Sequence, residues 1–193
     1  MTGRPSTSRL LRSGEERAFA ELYNRHFRSI HDYCRRRVAA DLVDDVVAET
    51  FLTAWRRLDD VPTGDGALLW LYRVAYRIVG HQWRSSTRRR RLEQRLRLVV
   101  RHPVSPADES VSDGVEHRLV LDAAARLGAT DAEVLRLAAW EQLALGDIAA
   151  VLEIAPNAAK QRLHRARQNL AREYRRLESR QIVTPDPSKG GAQ

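Results

Sequence analysis

The stretch LGDIAAVLEIAPNAAKQRLHRARQNL, residues 145–170, is where the reading of this chain begins. Gly146 to Leu152 has the pattern of a short amphipathic helix, with Ile148 and Leu152 four residues apart. Glu153 to Ala155 reads as a turn. Pro156 then suits the first position of a second helix, where its missing N–H costs nothing. In that helix Ala159, Leu163, Ala166 and Leu170 recur at four, three and four residues and define a buried side. Asn157, Lys160, Gln161, His164 and Gln168 fall on the other side, long or polar enough to reach base edges or phosphates in a major groove. Charged helix faces are common on ordinary bundles, so basicity alone decides nothing. A short helix, a tight turn and a basic helix in sequence point to a DNA-binding helix-turn-helix.

The charge distribution agrees. The chain has 193 residues and a formal net charge of +8, carried by arginine, since Lys160 and Lys189 are its only lysines. Arg84, Arg88, Arg89, Arg90 and Arg91 form one cluster. Lys160, Arg162, Arg165, Arg167, Arg172, Arg175 and Arg176 form another, with Glu173 the only acid among them. Residues 92–116 between the clusters are richer in acids than in bases. Two separated basic patches suit two contacts with one polyanion.

Outward from the helix-turn-helix, the pattern stays helical and no segment keeps a strand period. Phe19, Leu22, Tyr23, His26, Phe27, Ile30 and Tyr33 mark one helix. Val43, Val46, Val47, Phe51, Ala54 and Leu58 are the apolar face of a second, from about Asp41 to Leu58. Pro62, Gly64 and Gly66 place a loop at Asp59–Gly66, and a third helix runs from Ala67 into the arginine run. Pro103, Ser105, Pro106, Ser110, Ser112 and Gly114 mark a linker. The expected fold class is therefore all-α, two small helical domains on a flexible tether. Residues 1–13 are expected to be a basic tail, 14–91 the first domain, 92–115 the linker, 116–180 the second domain and 181–193 a second tail.

The third helix carries Leu71, Val74, Ala75 and Ile78 as its buried stripe. Tyr72, Arg73, Tyr76, Arg77, Gly80, Trp83 and Arg84 share the opposite half, with Arg88 following. Aromatics interleaved with arginines suit single-stranded nucleic acid, because rings stack on bases while guanidinium groups hold phosphates. On the second helix Asp45, Ala48, Glu49, Leu52 and Arg56 line the face away from the apolar one, mixing charge with an exposed leucine. Asp41, Asp44 and Asp45 also complement the positive end of that helix dipole.

At this point a family resemblance becomes specific. Lys160-Gln161-Arg162-Leu163-His164-Arg165-Ala166-Arg167 resembles the recognition helix of the extracytoplasmic-function group of sigma-70-family sigma factors, the promoter-recognition subunits of RNA polymerase. Asp44 to Trp55 is similar to that family's second conserved region, and Trp70-Leu71-Tyr72-Arg73-Val74-Ala75 to the start of its −10-reading region. The resemblance implies that Asn157, Lys160, Gln161, Arg162, His164, Arg165 and Arg167 bind the −35 element. It implies that Tyr72, Arg73, Tyr76, Arg77, Trp83, Arg84 and Arg88 bind the melted −10 strand, and that the Asp59–Gly66 loop sits where the family captures a flipped base. It further implies that Asp45, Ala48, Glu49, Leu52 and Arg56 bind core RNA polymerase. The partners so implied are the clamp of the largest polymerase subunit, the flap of the second-largest, and promoter DNA. Factors of this group often pair with an anti-sigma protein, which makes one a candidate partner.

The chain departs from the family pattern at named places. Glu153 stands where a turn glycine is usual, and Asn157-Ala158-Ala159 where Gly-Thr-Val is typical. Ala48 replaces a usual Gln, Tyr76-Arg77 a usual Arg-Asn, and His81 an expected Asp. The first predicts strain in the turn, and the others a shift in polymerase affinity and base preference.

A helix-turn-helix regulator with a ligand-sensing or dimerising N-terminal domain explains the second domain equally well. It leaves the acidic helix and the aromatic-arginine helix without a purpose. An enzyme acting on nucleic acid needs clustered carboxylates or an activated nucleophile; Asp44 and Asp45 point in different directions and no Gly-rich phosphate loop is present, so no enzyme is expected. Cys34 is the only cysteine, and His26, His31 and Cys34 have no fourth ligand nearby, so neither metal nor cofactor is expected. No apolar run reaches membrane-span length and residues 1–13 lack a signal-peptide core, which predicts a cytoplasmic protein.

Overall fold

Periodic spacing of apolar residues becomes seven α-helices in the computed structural model, which describes residues 7–95 and 115–182, with side chains over 14–82 and 118–180. The chain divides into two units, Met1–Ala107 and Asp108–Gln193.

The first unit packs α1 (Thr7–Arg35), α2 (Val43–Arg56) and α3 (Gly66–Arg95) pairwise against one another. Its core takes Ile30, Tyr33 and Cys34 from α1, Val43, Val46, Val47, Phe51 and Ala54 from α2, and Leu71, Tyr72, Val74, Ala75 and Val79 from α3. These are the three- and four-residue repeats of the sequence turned inward. α1 starts at Thr7, inside the expected basic tail, because no proline follows Pro5 within it and Leu10 and Leu11 favour helix. α3 likewise runs to Arg95, past the expected start of the linker, since Leu92 to Arg95 are all strong helix formers. The remainder of both tails and of the linker lies outside the described residues.

A buried cation closes the end of α1. Arg37 is 5% exposed, its guanidinium carbon lies 3.6 Å from the centre of the Tyr33 ring, and its Nη1 donates to the Tyr33 carbonyl at 3.0 Å. The contact both satisfies a helix-end carbonyl and places charge over a ring face. Tyr33 in turn meets Tyr72 of α3, ring centres 5.2 Å apart.

In the second unit α4 (Val115–Ala125), α5 (Ala129–Ala139) and α6 (Leu145–Leu152) each pack on the long α7 (Pro156–Ile182). Ala159 and Ala166 are fully buried on α7 beneath a core that includes Val134, Leu137, Ile148, Val151 and Leu152. Further along, Leu119 and Ala123 of α4 meet Leu177, with Leu170 and Tyr174 against them. Asn169 donates to Asp131 at 3.3 Å and so ties α7 to the first turn of α5. No helix among the described residues is long and apolar enough to cross a membrane.

Candidate nucleic-acid interface

The α6–α7 turn closes by backbone hydrogen bonds. Glu153 N–H donates to the Ala150 carbonyl at 3.4 Å and Ile154 N–H to the Ala149 carbonyl at 3.0 Å. That pair is the Schellman arrangement, which requires a left-handed residue after the helix. Glu153 supplies it, at φ 55° and ψ 45°, without the freedom of a glycine. The expected strain is thus present at the residue named for it. Pro156 opens α7, and the Ala159 N–H reaches the Ala155 carbonyl at 3.0 Å.

Successive residues turn by about 100° around a helix, so positions along α7 sort into stripes. Asn157, Gln161, His164 and Gln168 fall within about 60° of one another and form the ridge opposite Ala159 and Ala166. All four are exposed. Lys160 and Arg167 flank the ridge on one side and Arg165 on the other, all exposed as well. A row of amides and an imidazole between two rows of cations matches a major groove, with base edges on its floor and phosphates on both lips. Arg162 differs from the other expected contacts. It is half-buried, at the border of the packed side, and stands away from the ridge.

In the first unit Asp45, Ala48, Glu49, Leu52 and Arg56 are all exposed on one face of α2, Leu52 at 45%. An aromatic group flanks them that the motif reading leaves out. Phe19, Tyr23 and Phe27 of α1 pack about Phe51 and Trp55, with Phe19–Trp55 ring centres at 5.1 Å and Tyr23–Phe51 at 4.7 Å. Their four-residue spacing along α1 is the signal in the sequence that marks such a stripe.

α3 separates the expected strand-binding residues. Arg73 and Arg77 are exposed and Tyr76 is half-buried. Tyr72 is a correction: it is 5% exposed and its ring lies against Tyr33, so it belongs to the core and cannot stack on a base in this conformation. The physical reason is that the buried arc of α3 is wider than the four-residue stripe, reaching Tyr72 and Val79 because α1 packs there as well as α2. Trp83, Arg84 and Arg88 lie on the last turns of α3, and their side chains are outside the described residues. In the preceding loop Arg57 binds Asp60 through Nε and Nη2, each at 2.8 Å. A Cβ on Gly66 would lie 2.9 Å from Pro62 Cβ, so only glycine fits beneath that proline.

His26 and Cys34 of α1 are inward-facing. Cys34 is fully buried, and burial pushes its thiol up to about 12 against a smaller opposing effect of Arg37. His26 is 8% exposed, and burial, with the nearby Arg25 charge, lowers its pKa from the usual value. Among the described residues no three His, Cys, Asp or Glu side chains are gathered as a metal site would gather them.

Comparison with known proteins agrees with this geometry. The family described as "Sigma-70 region 2" matches residues 22–89, and "Sigma-70, region 4" matches residues 117–170. The RNA polymerase sigma factor CnrH of Cupriavidus metallidurans is 29% identical over 171 residues, covering 82% of this chain and 87% of that protein. The ECF RNA polymerase sigma factor BldN of Streptomyces coelicolor is 28% identical over 162 residues, 83% of this chain, which spans 61% of the length of that relative. Among solved structures, the sigma factor RpoE of Bartonella quintana, crystallised with the anti-sigma factor NepR, shares the fold with a TM-score of 0.63 at 21% identity, covering 81% of this chain and 96% of that one. With both regions matched in order across more than half of its length, the chain belongs to the sigma-70 family of RNA polymerase sigma factors, in the extracytoplasmic-function group.

Proposed function

We propose that this chain directs core RNA polymerase to particular promoters, reading the −35 element with α7 and opening the −10 element with α3. The observation that carries the reading is the α7 ridge, Asn157, Gln161 and His164 exposed between cation rows on a helix-turn-helix. Asn157 and Gln161 suit base edges; Lys160, Arg165 and Arg167 suit phosphates. Arg162, at the border, suits a phosphate at the groove lip. On α3, Arg73 and Arg77 hold phosphates of the separated strand with Tyr76 beside them, and Trp83, Arg84 and Arg88 are further contacts of that strand in this proposal. The α2 face from Asp45 to Arg56 docks on the clamp of the largest polymerase subunit, and the second unit on the flap of the second-largest. Working on polymerase and promoter places the protein in the cytoplasm, with no chemistry of its own. An anti-sigma protein is a further partner in this proposal, as for the RpoE of similar fold.

The test is promoter-specific run-off transcription with purified core polymerase, beside selection of bound upstream sequences. Asn157→Ala and Gln161→Ala are expected to change which sequences are selected, while Arg165→Ala and Arg167→Ala weaken binding across all of them. Equal neutrality of all four substitutions would show that α7 is not the reader.

A further inference from the structure

We propose that Gln168 is a further base-reading residue of α7, acting with His164 as one coupled unit. This rests on the reading of α7 as the promoter-reading helix. Gln168 Nε2 lies 3.0 Å from His164 Nε2, and both side chains are exposed on the ridge. In this pairing the amide nitrogen donates and His164 Nε2 accepts. The pairing follows from helix geometry, because residues four apart lie one above the other and side chains lean toward the N-terminus.

The hydrogen bond has two consequences. It restrains the orientation of the imidazole on the ridge. It also leaves Gln168 with its Oε1 acceptor and one N–H, the pair of groups by which a glutamine reads adenine. His164, Arg167, Gln168, Ala171, Arg172 and Arg175 lie together on one open stretch of the α7 surface. The small Ala171 leaves it open beside Gln168, and the three arginines make it strongly cationic. Gln168 stands eleven residues beyond Asn157, about 16 Å along the helix axis. At about 3.4 Å per base step the ridge then covers about five steps. The interaction is local in sequence, yet it makes a residue outside the Lys160–Arg167 motif part of the reading surface.

The experiment selects upstream elements from a randomised pool with full-length protein and core polymerase. The variants are His164→Ala, Gln168→Ala, Gln168→Met and the double alanine, with Gln161→Ala as reference. Gln168→Met keeps length and helix propensity while removing the hydrogen bond. We expect each single variant to change preference at the same one or two base positions, by about five-fold or more. The double variant should change it no further than the larger single one. Wild-type preference in both Gln168 variants, or independent changes at separate positions, overturns the pair. If Gln161→Ala alters preference in that case, α7 remains the reader. If no variant alters preference at any position, the reading of α7 falls together with the pair.

Discussion

Glu153 holds φ 55° and ψ 45° because two hydrogen bonds of the α6 end need a left-handed residue there, and its Cβ makes that conformation unfavourable. Gln142, ahead of α6, has φ 53°, so both non-glycine left-handed residues among those described flank this helix. Glu153→Gly is expected to stabilise the second unit by about 1 kcal/mol, or roughly 4–8 °C in its unfolding midpoint. Calorimetry of the variant checks this; an unchanged midpoint would mean that the Glu153 side chain offsets the strain. Cys34 presents a different case, a thiol whose ionisation its surroundings oppose. With its thiol raised from about 9 to about 12, the folded state retains a proton that the unfolded state releases. Stability is therefore full below about pH 9 and falls as pH rises from there toward about 12. At pH 8 a thiol reagent should react with Cys34 far more slowly in native protein than in denatured protein. Equal rates would contradict its burial.

At the scale of single helices, α3 shows how much an aromatic stripe leaves open. Tyr72 and Tyr76 are four residues apart and look equivalent in sequence, but one meets Tyr33 and the other is half-exposed. Tyr72→Ala should cost the first unit about 3 kcal/mol or more in chemical denaturation, as for other large buried aromatics. Tyr76→Ala should cost much less. Its expected defect is in strand opening, read as lost permanganate reactivity of unpaired thymines with closed-complex formation retained. A premelted template should restore its transcription, because a ring can stack only on a base already out of the duplex. Normal opening by this variant would return Tyr76 to a structural role. On α7, Arg165→Ala should reduce the slope of log affinity against log salt by about one, the signature of one lost phosphate contact.

For the molecule as a whole, the two basic clusters fall in different units, one at the end of α3 and one along α7. Promoter-specific transcription is therefore expected to need both. Run-off assays with residues 1–100 or 110–193 alone should give none, and full activity from the C-terminal piece would favour a simple regulator. The all-α class, the α6–turn–α7 order and the polar side of α7 follow from the sequence alone. They depend on interactions three or four residues apart and on where Pro and Gly interrupt them. His164 and Gln168 are of this kind, since their spacing suffices to bring them together. Composition misplaced the ends of α1 and α3, because an arginine-rich stretch resembles a tail until its helix propensity is weighed. Other features were settled only by tertiary packing. Tyr72 is buried because α1 crosses α3 at that turn, and Asn169 meets Asp131 because α5 packs on α7. Each depends on a partner far away in sequence, whose position no local spacing specifies.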